Sequence, residues 1–144
     1  MERQGTPESD APRALQEEAI ARIIGAFPEV QAIYLFGSVA RGEARDQSDV
    51  DLAILAERAV DAVLLWETAQ EIADAVGREV DLLDLRAVST VMRMQVISRG
   101  ERVDCRDEMA AETFEDFVFS HYALLNEERQ AILDEVSERG STYG

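Results

Sequence analysis

The sequence predicts an α/β domain, a small mixed β-sheet packed with helices and continued by a long C-terminal helical segment. Three observations lead there. Apolar patterns of helical and strand period alternate as helix, strand, strand, helix, strand, helices. Two strand-like runs inside Ile33–Leu55 flank a turn of small and polar residues. One helical pattern, Asp107 to Arg139, is longer than cover for so small a sheet requires. At 144 residues the chain suffices for one core.

Residues 1–9 are polar, with Gly5 and Pro7, and are read as a disordered tail. Asp10 is placed as the cap of a first helix with Pro12 in its opening turn. Leu15, Ala19, Ile20, Ile23, Ile24 and Phe27 form its apolar stripe, and Pro28 stops it. The first strand, Ile33-Tyr34-Leu35-Phe36, is β-branched and aromatic and ends at Gly37. The second, Asp49 to Leu55, alternates and then becomes continuously apolar.

Asp61 to Val76 reads as a second helix stopped by Gly77, with Val63, Trp66, Ala69, Ile72, Ala73 and Val76 turned inward. Trp66 offers a stacking surface for a base, but its place in the stripe assigns it to the core. Glu79 to Leu85 is the third strand. Ser89 to Ser98 forms a short helix ending at Gly100, with Val91, Met94 and Ile97 on one side and Met92 and Met94 as core fillers. Arg102 to Cys105 is a short edge strand, with Cys105 a small buried hydrophobe. In the last segment Phe114, Phe117, Val118, His121, Leu125, Ile132 and Val136 recur at helical spacing, with Asn126 as a possible break. His121 is read as a packed residue of that stripe. These readings divide the chain into the tail, a core over 10–106, and a helical extension over 107–144 that packs on the core and on a partner.

The chemistry gathers around the turn. Asp49 and Asp51, one residue apart in a strand, leave the same face roughly 7 Å apart, while Val50 enters the core. Two like charges on an apolar strand resist desolvation unless a cation lies between them. A hard divalent ion fits, and Mg²⁺ takes one or two carboxylates with water and substrate phosphates as its other ligands. Gly37 allows a sharp turn and close ligand approach, and Ser38 opens a small-residue segment able to receive phosphate. Asp81 in the third strand can point to the same metal; Asp84, three residues on, faces the other side in regular pleating.

Gly37-Ser38, ten intervening residues, and Asp49-Val50-Asp51 resemble the signature of the nucleotidyltransferase superfamily that includes DNA polymerase β. The setting, Phe36 to Gly42 and Ser48 to Ala53, is most similar to the minimal nucleotidyltransferase (MNT) antitoxins of HEPN/MNT toxin-antitoxin pairs, and the resemblance runs from about Ala14 to Gly144. Val39 departs from the family, where a longer residue is common. The resemblance implies a polymerase-β-like fold and AMP transfer from ATP with two Mg²⁺ ions. Asp49, Asp51 and Asp81 would be catalytic and metal-binding, and Gly37 and Ser38 nucleotide-binding. It favours Asp81 over Asp84 because the family's third acid sits early in its strand. It implies as acceptor a tyrosine hydroxyl of a HEPN-type (HepT-like) ribonuclease toxin held in a hetero-oligomer.

Bulk properties narrow the alternatives. The net charge is −16, and Asp and Glu outnumber Lys and Arg 30 to 14, which argues against direct nucleic-acid binding and for a basic protein partner. Cys105 is the lone cysteine, so no intrachain disulfide forms. No apolar run approaches the roughly 18 residues of a membrane span, and the start lacks a signal-peptide pattern, so a cytoplasmic protein is expected. Transfer to a small-molecule hydroxyl is one rival, disfavoured by the lack of a second, acceptor-binding domain. Non-catalytic occlusion of a toxin is the other, disfavoured by the intact carboxylates.

Overall fold

The computed structural model describes residues 13–37 and 49–143, with side chains through residue 137. The tail, the Asp10 cap, Pro12, Ser38 and Val39 lie outside the described residues.

Helix α1 (Arg13–Ala26) leads into β1 (Val30–Phe36) through a turn at Pro28, where Val30 N–H donates to Phe27 O at 3.0 Å. Strand β2 (Val50–Ala56) is followed by α2 (Ala62–Val76), β3 (Val80–Asp84), α3 (Thr90–Arg99), β4 (Glu101–Cys105) and α4 (Glu108–Tyr143). Local chemistry sets the helix ends. Asp61 caps α2 by accepting from Leu64 N–H, and Gly77 ends it in the left-handed conformation at φ 73°. Ser89 caps α3 on Met92 N–H, and Asp107 accepts from Ala110 N–H at the start of α4.

The four-stranded sheet has the order β3-β2-β1-β4. It is mixed: β1 pairs antiparallel with β2 and β4, whereas β2 and β3 run parallel, the crossover being supplied by α2. Because side chains alternate across a strand, the sheet buries two separate clusters. On one face Ile33, Leu35, Val50, Leu52 and Ile54 meet Ala19 and Ile23 of α1 and Ala69 and Ile72 of α2. On the other, Ala32, Tyr34, Ala53 and Leu55 meet Val96 of α3 and Ala111, Phe114 and Val118 of α4.

Four expectations are corrected. Trp66 is 64% exposed and Val63 is exposed as well. Both readings of α2 share Ala69, Ile72 and Val76, but toward the N-terminus the buried stripe steps back by four residues, to Thr68 and then to Leu64 and Leu65, and not by three to Trp66 and Val63. Thr68 is hidden because its hydroxyl donates to Leu64 O at 2.7 Å. On α3, Val91 and Met92 face outward and Val96 is the fully buried residue. Asn126 does not break α4, which is continuous for 36 residues. Phe117 stands exposed beside the buried pair Phe114 and Val118.

Candidate active site

The second core cluster stops short of one end of the sheet, and the acidic residues begin there. Asp51 is on the rung opposite Phe36 of β1 and, on its other side, opposite Asp81 of β3. Residues in register on parallel strands share a face, so these two carboxylates stand on neighbouring strands roughly 4.8 Å apart in the pairing direction. The shared face is that of α3 and α4, since Ala53 and Leu55 beyond Asp51, and Leu83 beyond Asp81, belong to that cluster. Asp49 directly precedes β2 and is exposed, Asp51 is half-buried, and Asp81 is exposed. Val50 between the two acids is fully buried on the opposite face.

Gly37 follows β1 at φ 79°, a conformation L side chains rarely adopt. A Cβ there would lie 2.1 Å from Asp51 Oδ2. The absent side chain leaves a notch in which the backbone approaches the carboxylate directly. That is the geometry expected where a polyanion and a cation must share a narrow site. Ser38, the other residue expected to receive phosphate, lies outside the described residues.

Asp84 has a different occupation. It is buried at the far end of β3, where Oδ2 accepts from Val60 N–H at 2.8 Å and Oδ1 from Arg86 N–H at 2.9 Å. Its rung partner is Ile54. This carboxylate ties β3 to the segment before α2 and stands apart from Asp51.

Among the described residues no three His, Cys, Asp or Glu side chains converge as a ready-made metal cage. The structure brings Asp51, Asp81 and Gly37 together and does not gather all three aspartates into one such group. The donor set nevertheless fits Mg²⁺. Its candidate ligands are all carboxylate oxygens, and this ion completes its shell with water and substrate phosphate and does not require a protein cage. The notch at Gly37 leaves the space beside Asp51 that a side chain would otherwise fill.

A polar network missed in the sequence lies behind the notch. Tyr34, on β1 three residues before Gly37, donates its hydroxyl to Glu115 Oε2 of α4 at 2.7 Å, and Arg102 Nη1 of β4 donates to the same oxygen at 3.1 Å. Burial first, and then the Glu115 carboxylate, push the Tyr34 hydroxyl pKa well above its ordinary value. The three side chains join α4 to two strands close to the site. The available signal was a tyrosine in an apolar run, since a buried phenol needs a hydrogen-bond partner. His121, expected to be packed, is half-buried, with its ring 5.4 Å from that of Phe117.

A mixed sheet carrying paired strand carboxylates beside a glycine turn defines a nucleotidyltransferase. The family model for polymerase beta nucleotidyltransferases matches residues 18–109, and the chain belongs to that family. Among its relatives is the protein adenylyltransferase MntA of Shewanella oneidensis, 40% identical over 123 residues that make up 85% of this chain and 88% of the relative. Two of the similar solved structures cover most of the chain. A toxin-antitoxin crystal structure with AMP-PNP is 39% identical with a TM-score of 0.76, covering 84% of this chain and 97% of its own. A tri-AMPylated HEPN toxin of Shewanella oneidensis in complex with its MNT antitoxin matches at 37% identity and a TM-score of 0.68, covering 85% and 98%.

Proposed function

We propose that this chain is an antitoxin and a magnesium-dependent protein adenylyltransferase, moving AMP from ATP to a tyrosine hydroxyl of a HEPN-type ribonuclease toxin within a cytoplasmic hetero-oligomer. The observation that carries the reading is the Asp51–Asp81 rung facing the notch at Gly37. The relatives support it, one named for protein adenylyl transfer and another solved with an AMPylated HEPN toxin. Residues 10–106 act as the catalytic core and 107–144 as the partner-directed extension. No helix among the described residues is long and apolar enough to cross a membrane.

Asp49 and Asp51 would hold Mg²⁺ against the triphosphate, and Asp81 would bind a second ion. Bound there, the metal would supply charge neutralisation at the phosphates and at the transition state. Gly37 lets the β and γ phosphates approach its main chain, with the hydroxyl of Ser38 as the adjoining donor. Asp81 takes the proton from the tyrosine hydroxyl as its oxygen bonds to the α-phosphorus. The bond from that phosphorus to the β-phosphate oxygen breaks, and pyrophosphate departs in line. Positioning is the protein's main contribution.

Intact mass of the toxin before and after ATP tests the reading, with gains of one AMP per step as the expected result. The Asp49→Asn, Asp51→Asn double variant should lower transfer from α-labelled ATP by about 10³-fold. Unchanged transfer rejects the assignment. Neutralisation that survives the loss of transfer would assign protection to occlusion.

A further inference from the structure

Helix α4 spans Glu108–Tyr143, about 54 Å at 1.5 Å per residue. Only its first turns have the sheet beneath them: Ala111, Phe114 and Val118 are buried. The apolar stripe does not end there. Val118, Leu125 and Ile132 recur at intervals of seven, with Val136 one turn further, so all four lie on one side of the helix. Val118 is fully buried, whereas Leu125 is 40%, Ile132 60% and Val136 57% exposed. The face that covers the core thus continues past the body of the domain with nothing under it among the described residues. Glu128 and Glu135, themselves seven apart, flank the stripe, and both are exposed.

We infer that the distal stripe Leu125–Ile132–Val136, with its acidic border Glu128 and Glu135, is the surface on which a helix of the toxin docks, presenting an apolar stripe edged with Lys or Arg. The inference rests on the function proposed above and adds the surface and the chemistry of its occupant. Charge complementarity selects a basic partner over a second copy of the chain. A net charge of −16 and the glutamate border repel a like surface and attract a cationic one. The spacing of seven fits a helix, because such a stripe accepts side chains from an adjoining helix as knobs between its own. Continuity with the buried stripe gives the docked helix a rigid base, so the acceptor tyrosine is delivered relative to the Asp51–Asp81 end and does not swing on a tether.

The test uses the full chain and the purified HEPN-type toxin that the proposed function pairs with it. A triple variant, Leu125→Glu, Ile132→Glu, Val136→Glu, changes exposed side chains only. It should keep the helical circular dichroism and melting temperature of the wild type. Its Kd for the toxin should rise by at least about tenfold, and the KM for toxin should rise while kcat at saturating toxin stays near wild type. A milder variant, Glu128→Lys with Glu135→Lys, should slow association and reduce its salt dependence without changing the melting temperature. Wild-type Kd in the triple variant overturns the inference. So does a wild-type homodimer in sedimentation that the triple variant dissolves, because the stripe then belongs to self-pairing. The proposed function fails separately, if wild-type chain binds the toxin through this surface but transfers no AMP to it.

Discussion

Strand β3 carries two aspartates three residues apart with opposite fates. Asp81 is exposed and in register with Asp51; Asp84 is buried with both oxygens accepting main-chain N–H groups. A carboxylate whose lone pairs are used by the fold stabilises it. One that faces a second carboxylate on the next strand costs stability through repulsion, and is suited to a cation and a substrate. The two ends of this strand thus separate structure from chemistry.

Exchanging the two roles is the strongest way to break that contrast. Asp81→Asn should lower AMP transfer by about 10²- to 10³-fold and leave the urea midpoint unchanged or slightly raised. Asp84→Ala should do the converse. Leaving the amides of Val60 and Arg86 without acceptors costs about 2–4 kcal/mol, while transfer below the melting temperature persists. If Asp84→Ala abolished transfer in folded protein, the division would be wrong.

The two left-handed glycines among the described residues sharpen the same comparison. Gly37 and Gly77 have φ of 79° and 73°, but a Cβ on Gly77 meets nothing within 4 Å, whereas one on Gly37 strikes the Asp51 carboxylate. Each Ala variant should lose about 1–2 kcal/mol by denaturant titration from the backbone alone. Only Gly37→Ala should also reduce kcat, because only there does the new methyl displace a proposed metal ligand.

Tyr34 tests how far the support of the site depends on its network. Its hydroxyl pKa is raised by burial and by Glu115, so the folded chain keeps a proton that the unfolded chain releases near pH 10. The sign follows: the contribution is complete below about pH 10 and is lost as pH rises beyond it. Tyr34→Phe should cost about 1 kcal/mol at neutral pH and flatten the fall in stability above pH 10, read from urea midpoints across the alkaline range. The smallest effect is expected at Trp66. Its alanine variant should stay within about 0.5 kcal/mol of wild type with unchanged AMP transfer. A marked loss of nucleotide affinity would return the ring to the site.

Much of the fold was legible in the sequence because it is written in short-range chemistry. Asp61 and Gly77 bound α2, Ser89 and Gly100 bound α3, and Pro28 stops α1, each through contacts within a few residues. The glycine and the aspartate pair were legible for the same reason, since spacing of two fixes a shared strand face whatever lies around it. Trp66 was misread because steps of three and four are both helical, and only the sheet beneath α2 chooses between them. Tyr34, Glu115 and Arg102 were missed as a group because their partnership spans up to 81 residues of chain.

The sequence by itself determined the order of elements, the Gly37 turn and the presence of acids on three candidate strand positions. Only the tertiary structure decided that Asp81 meets Asp51 across a parallel rung, that Asp84 is consumed by backbone amides, and that the stripe of α4 outlasts the sheet it covers. The reason is physical. Period and capping act along a few neighbouring residues, whereas strand register and burial depend on which distant segment arrives opposite.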